Sequence, residues 1–187
     1  MRLAIAAGIA LIIAMPAFAS DEPQPVRHPE LDAIAAAVSP ESLREFDATL
    51  VGFGTRHTLS DTQSDARGIG AARRWVKAQF ERFSADCGGC LEVATPSQVF
   101  TGKRTPKEGV EVMDVVAIQR GSSDPDRVVV ITGHLDSRCS DVMDTHCDAP
   151  GANDDASGVS ALLEAARVLS KHKFAATIVY SADSGEE

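Results

Sequence analysis

The sequence predicts an α/β fold, with a mostly parallel or mixed central sheet flanked by helices. Three observations carry this prediction. Arg127 to Thr132 contains Val128-Val129-Val130-Ile131, an apolar run of strand length and β-branched composition. Because the run is continuous rather than alternating, it signals a strand covered on both faces. Asp155 to Ser170 sets Val159, Leu162, Leu163, Ala166 and Leu169 at helical spacing, and Phe174 to Ala182 returns to strand composition with Thr177-Ile178-Val179-Tyr180. Strand, helix, strand in this order is a βαβ unit, for which a right-handed crossover is expected.

The first 19 residues read as a cleavable signal peptide. Arg2 gives a positive start, Leu3 to Met15 is apolar, and Ala17-Phe18-Ala19 is an A-x-A cleavage site before Ser20. The apolar run is about 13 residues, short of the roughly 20 that span a bilayer. The mature protein, residues 20–187, is therefore expected to be secreted or periplasmic, and its length suits one domain. Formal charge is -9 for the whole chain, and loss of Arg2 makes it more negative. Nucleic acid and anionic membrane are disfavoured as partners, since each demands clustered Lys and Arg. With aromatics at 5% there is no stacking platform for bases.

Ser20 to Pro29 is polar and Pro-rich, a tail. Leu31 to Val38 is helical in period, and Ser39-Pro40-Glu41 restarts a helix with Ser39 as N-cap, running to Gly52. Ser64 is placed as the cap of a longer helix from Asp65 to about Ser84, with Ile69, Ala72, Val76, Phe80 and Phe83 as its buried stripe and Trp75 in the core beside it. Val93 to Phe100 and Val110 to Gln119 read as strands. Four cysteines allow three connectivities. Cys87-Gly88-Gly89-Cys90 could be a redox motif or half a zinc knuckle, but no second C-x-x-C exists. Local structural disulfides Cys87–Cys90 and Cys139–Cys147 are the reading adopted, in keeping with export.

In such sheets ligands bind beyond the carboxyl ends of the strands, and three acidic segments fall there. His134 and Asp136 are two apart, so an extended backbone points them to one face. There the Asp136 carboxylate can accept from one imidazole nitrogen while the other binds a metal. Asp154-Asp155 precedes a helix, where one carboxylate suffices as cap and the second is left for another purpose, such as bridging two cations. Gly151 and Gly158 permit close backbone approach. Glu186-Glu187 offers one carboxylate for metal and one as a general base, whose pKa a neighbouring carboxylate raises.

Together Gly133-His134-Leu135-Asp136-Ser137, Ala149 to Gly158 with Asn153-Asp154-Asp155, and Gly185-Glu186-Glu187 resemble the signature of M28-family zinc peptidases, the secreted aminopeptidases. Gly52-Phe53-Gly54-Thr55-Arg56-His57 and the helix after it resemble that family's N-terminal portion. The resemblance implies a zinc-aminopeptidase fold, two zinc ions and peptide or protein N-termini as substrate. It implies His134 on one zinc, Asp154 bridging, Glu187 on the other, Glu186 as general base and Asp136 orienting His134, with a cis peptide at Asp154–Asp155. It further implies an additional Asp and His downstream of the Glu pair. Residues 20–187 are thus read as the N-terminal portion of a catalytic domain, truncated at the C-terminus and with little activity of its own. His57, His146 and His172 are not at matching positions.

Two alternatives stay open: a related zinc carboxypeptidase, deacylase or glutaminyl-cyclase-like enzyme, and an inactive metal-binding module. A serine hydrolase is disfavoured because no G-x-S-x-G occurs. Nucleotide binding is disfavoured because Gly68-Ile69-Gly70 lacks a third Gly and a leading strand.

Overall fold

The computed structural model describes residues 28–187; residues 1–19, read above as a signal peptide, and most of the segment Ser20 to Pro29 lie outside the described residues. Helices α1 (Pro29–Ala36), α2 (Pro40–Gly52) and α3 (Ile69–Asp86) come first. Strands β1 (Glu92–Ala94), β2 (Ser97–Phe100), β3 (Val110–Met113), β4 (Val115–Gln119) and β5 (Asp124–His134) follow. A π-helical turn (Ala152–Ala156), α4 (Ser157–Leu169) and β6 (Ala176–Asp183) complete the order. No helix among the described residues is long and apolar enough to cross a membrane.

The main sheet is mixed, in the order β1-β4-β6-β5. β5 and β6 are parallel and joined through α4, the expected βαβ unit, whereas β4 runs antiparallel to β6 and β1 to β4. Register sets Val115 against Ala182 and Ala117 against Tyr180, all fully buried and part of one core with Phe46, Leu50, Val76, Phe80, Leu162 and Leu163. The helices α2, α3 and α4 therefore share that sheet face. Residues on the opposite pleat, Val116, Ile118, Val179 and Ser181, are only half-buried. Tyr180 donates to Gln119 Oε1 (2.9 Å), and Gln119 Nε2 donates to the carbonyls of Leu169 and His172 (3.2 and 2.7 Å), which fixes the end of α4 to the sheet.

Three expectations are corrected. The helix placed from Asp65 begins at Ile69. Ser64 Oγ accepts instead from Ala66 and Arg67 N–H in a turn, and the chain winds back so that Ser60 Oγ accepts from Ile69 N–H and Asp61 O from Gly70 N–H. With those first amides satisfied by the preceding loop, the helix has its start there. The strands expected over Val93–Phe100 and Val110–Gln119 each break in two. Pro96, which has no N–H, accepts from Asp114 N–H at 3.0 Å, and beyond that pinch β2 and β3 leave the sheet as a separate antiparallel hairpin. Finally, β5 is an edge strand and not covered on both faces: Val128, Val129 and Val130 are 51%, 49% and 60% exposed.

The cysteines pair as Cys87–Cys90 and Cys139–Cys147, with none free. Trp75 lies against the core, edge-on to Phe46 and Phe53.

Candidate metal centre

Parallel pairing of β5 with β6 sets His134 opposite Asp183, so the segment 184–187 leaves the sheet at the edge where His134 stands. The turn carrying Asp154 and Asp155 opens α4, which packs against β5 and β6. All three predicted segments thus reach one rim, the carboxyl ends of the two parallel strands.

His134 is held from both ring nitrogens. Nε2 lies 2.9 Å from Asp154 Oδ1, and Nδ1 lies 3.1 Å from the backbone carbonyl of Asp136. The Asp136 carboxylate is farther from Nδ1, at 3.7 Å, so the expected carboxylate–imidazole hydrogen bond is replaced by one to the same residue's carbonyl. The carboxylate is fully buried and already engaged: it accepts from Thr58 Oγ1 (2.9 Å), Glu187 N–H (3.1 Å) and Glu186 N–H (3.3 Å). Asp136 therefore fastens the Glu186-Glu187 backbone to the His134 segment. Burial disfavours protonation of His134, but the Asp136 charge, the Asp154 hydrogen bond and the Asp155 charge outweigh it and hold the imidazole above its ordinary pKa.

The adjacent aspartates divide the work the sequence left open. Asp155 Oδ1 accepts from Gly158 N–H in the first turn of α4 (2.9 Å), and its Oδ2 accepts from His134 N–H (3.1 Å). Asp154 points outward, its side chain 75% exposed, toward His134. The peptide bond between them is cis. Two glycines make the turn feasible. Gly151 has φ +45°, and a Cβ there would lie 2.5 Å from Asp154 O; a Cβ at Gly158 would lie 2.3 Å from Asp155 Oδ1.

Glu186 is exposed. The Glu187 carboxylate, 12% exposed, is ion-paired with Arg138 and lines a 410 Å³ cavity together with Asp154 and Asp148. His134 meets Asp154, and Asp154 and Glu187 line one cavity, but the three predicted ligands are not gathered within ligand distance of one another. A compact trio of donors among the described residues does exist at Cys139, Asp144 and Cys147, but its sulfurs form a disulfide and offer no thiolate.

Two buried residues that hold the site together are absent from the sequence-based list. Arg56, 1% exposed, donates from Nε to Leu135 O (2.7 Å) and from Nη1 to Leu50 O (3.1 Å) and Pro150 O (2.8 Å). Its Nη2 donates to Gly151 O (3.0 Å). Ser137 Oγ donates to Ala149 O and accepts from Arg56 N–H. Desolvation lowers the Arg56 pKa to about 10 against the opposing pull of Asp136, Asp47 and Asp155. His57 is buried and structural: Nε2 lies 3.0 Å from Val142 O, and Nδ1 accepts from Leu59 N–H. His146 is exposed, and its ring bonds Thr145.

Chemically, the rim offers one imidazole and several carboxylates, a donor set for a divalent cation such as zinc. With Nδ1–H donated to the Asp136 carbonyl, neutral His134 turns the Nε2 lone pair toward a carboxylate oxygen. Two acceptors at that separation call for a proton or a cation.

Comparison with known proteins agrees with this chemistry. Residues 114–187 match the model of Peptidase family M28. A probable zinc metalloprotease of Pyricularia oryzae is 47% identical over 158 residues, covering 84% of this chain and 32% of that protein. A probable zinc metalloprotease of Leptosphaeria maculans is 44% identical over 164 residues, covering 88% of this chain and 38% of its own. The chain thus spans about a third of the length of the curated relatives it matches. Among solved structures, a Bacteroides thetaiotaomicron glutaminyl cyclase bound to N-acetylhistamine superposes with TM-score 0.60 at 20% identity, over 80% of this chain and 48% of that one. A Zn-dependent exopeptidase from Parabacteroides distasonis gives TM-score 0.57 at 22% identity, over 80% and 47%. At such identities the likeness concerns the fold.

Proposed function

The chain belongs to peptidase family M28, and from that premise we propose that it contributes the larger part of a metal-dependent exopeptidase site that removes residues from peptide or protein N-termini. The observation that carries this reading is the approach of His134 Nε2 to Asp154 Oδ1 at 2.9 Å on a rim that Glu187 shares.

Zinc is the metal proposed, two ions in the complete enzyme, supported by the imidazole-and-carboxylate donors and by the names of the two fungal relatives. His134 and Asp154 would hold one ion, and Asp154 and Glu187 the other. Bound zinc supplies Lewis acidity toward a substrate carbonyl oxygen. Glu186, exposed beside Glu187, accepts the proton of the attacking water at its carboxylate. Asp136 positions both glutamates by accepting their backbone N–H groups and orients His134 through its carbonyl. Two protein ligands per ion is one fewer than a catalytic zinc usually has, so zinc binding by this chain alone is expected to be weak and its turnover low.

Zinc titration by calorimetry on this chain and turnover of L-leucine p-nitroanilide by the full-length protein test the reading. His134→Ala should lose zinc and activity together; retained zinc in that variant would overturn the assignment. Glu186→Gln should keep zinc and lower kcat by about 10²–10⁴, whereas loss of zinc would exchange the roles of the two glutamates. The fold shared with glutaminyl cyclases supplies a second reading. Conversion of an N-terminal glutaminyl peptide to its pyroglutamyl product, with no amino acid released, would favour it.

Export through residues 1–19 is proposed with this activity, and the two disulfides fit an oxidising compartment. N-terminal sequencing of the secreted product should begin at Ser20; a product starting at Met1 would refute cleavage.

A further inference from the structure

Among the described residues, three buried side-chain polar atoms have no hydrogen-bond partner, and two of them belong to Arg73, Nε and Nη2. The residue lies near the start of α3 and is 6% exposed. Its neighbour Arg74 is exposed and donates to the carbonyls of Thr62, Gln63 and Ser64; Nε and Nη2 of Arg73 meet no such acceptor. A buried guanidinium is costly unless something offsets its charge. Burial lowers the Arg73 pKa, and the charges that pull the other way are those of Glu111, Asp114 and Asp136. Arg73 is thus balanced by charge and not by directed hydrogen bonds from these two nitrogens.

Two of those carboxylates fasten the segment that carries the glutamates. Asp114 Oδ1 accepts from Ser184 N–H at 2.9 Å. Asp136, fully buried, accepts from Glu186 N–H at Oδ1 and from Glu187 N–H at Oδ2. Between the two anchors Gly185, at φ +87°, turns the chain. The anchors come from different places in the fold, Asp114 from the link between β3 and β4 and Asp136 from the segment after β5, and α3 packs against β4. Both present negative charge to one short turn, so they repel each other. Burial pushes the Asp114 carboxyl above its ordinary pKa; the Ser184 hydrogen bond and the Arg73 charge oppose the rise, and the charges of Asp183 and Asp136 add to it.

We propose that Arg73 is a positioning residue: its buried charge offsets the repulsion between Asp114 and Asp136, and so keeps both carboxylates on the backbone amides that set Glu186 and Glu187 at the rim. That this placement serves peptide hydrolysis rests on the reading of Glu186 as base and Glu187 as ligand; the charge balance does not. Because Nε and Nη2 make no hydrogen bond, the charge is required and the planar fork is not. Arg56 is the opposite case, since all three of its guanidinium nitrogens donate.

Amide hydrogen exchange of this chain, read by NMR, tests the charge balance without any activity. In Arg73→Met the amides of Ser184, Glu186 and Glu187 should exchange about tenfold faster than in the parent, while that of Tyr180 in β6 keeps its protection. Arg73→Lys should restore parental exchange at all three. So should Arg73→Met combined with Asp114→Asn, since an amide oxygen still accepts from Ser184 N–H and one of the two like charges is gone. If Arg73→Met alone does not fold, the lysine and double variants carry the test, and both must fold with parental exchange. Parental exchange in Arg73→Met, or a lysine or double variant as fast as the methionine one, overturns the positioning role and leaves Arg73 to packing. In the full-length protein Arg73→Met should lower kcat for L-leucine p-nitroanilide by about tenfold or more with KM unchanged, and Arg73→Lys should recover it. A full-length parent without turnover would count against the peptidase reading, and the exchange result would still decide the role of Arg73.

Discussion

Arg56 donates its guanidinium to four backbone carbonyl oxygens, from Leu50, Leu135, Pro150 and Gly151. Leu135 adjoins His134 and Gly151 lies three residues before Asp154, so one buried cation sets the spacing of two segments that supply candidate ligands. Removing it would leave the buried carbonyls of Leu50 and Leu135 without this donor and free the part-buried ones of Pro150 and Gly151. Arg56→Met is therefore expected to destabilise the chain by about 3 kcal/mol or more, and Arg56→Lys to fail as a rescue, since an ammonium cannot span the planar fork. Urea unfolding measures the loss and zinc calorimetry should show weakened binding; stability within about 1 kcal/mol of the parent would refute the bracing role. None of this was legible in the sequence. His134, Asp136, Asp154, Glu186 and Glu187 stood out because carboxylates and imidazole at strand ends and helix starts have few other purposes. Arg56 lies in a segment whose family resemblance was legible, but its bracing role was not, because its carbonyl partners in the site lie about 80 to 95 positions away. The hydrogen-bonding duty of Asp136 was hidden for the same reason: it depends on Glu186 and Glu187 folding back onto it.

At the scale of elements, α4 is held at one end by the Gln119–Tyr180 pair and along its length by Glu164. Glu164, 2% exposed, accepts from Ser39 N–H (2.6 Å) and from Arg167, while Arg167 also donates to Ala37 O (2.8 Å). The start of α2 is thereby clamped onto α4. Burial pushes the Glu164 carboxyl up, but the hydrogen bonds from Arg167 and Ser39 outweigh it and hold the pKa below its ordinary 4.5. A depressed carboxyl contributes stability that is present above the unfolded value and lost as pH falls through the folded one. Glu164→Gln should thus cost about 2 kcal/mol at neutral pH, with the deficit shrinking below pH 4.5 as the parent's own carboxyl protonates. Urea midpoints at neutral pH and well below that value test it; a deficit independent of pH would refute the charge-based account. The elements with strong local patterns, α2, α4, β5 and β6, were readable to within a few residues. The start of α3 and the breaks at Pro96 and Asp114 were not, since each depends on a hydrogen bond to a segment elsewhere in the chain.

At the scale of the whole molecule, the mixed sheet leaves β5 on its edge, with Val128 and Val130 on one pleat and Val129 on the other, all about half exposed or more. The composition of this run reports a strand suited to cover on both faces, and among the described residues that cover is not supplied. An exposed, β-branched edge strand is a template for pairing with another chain, and the unpaired N–H and C=O groups along it add direction to the apolar attraction. The net charge of -9 opposes association at long range but is screened within about 10 Å at ordinary salt. Attraction at contact distance should therefore win as salt rises. The chain is expected to self-associate with increasing concentration and salt, and Val130→Lys, which sets a charge on the open pleat, should shift it toward monomer. Because Val130 is 60% exposed, the substitution should change unfolding free energy by no more than about 0.5 kcal/mol. Sedimentation velocity over a concentration series, at low and high salt, decides the matter. A parent chain that stays monomeric throughout, or a lysine variant that associates as strongly, would show that the edge is not where molecules meet.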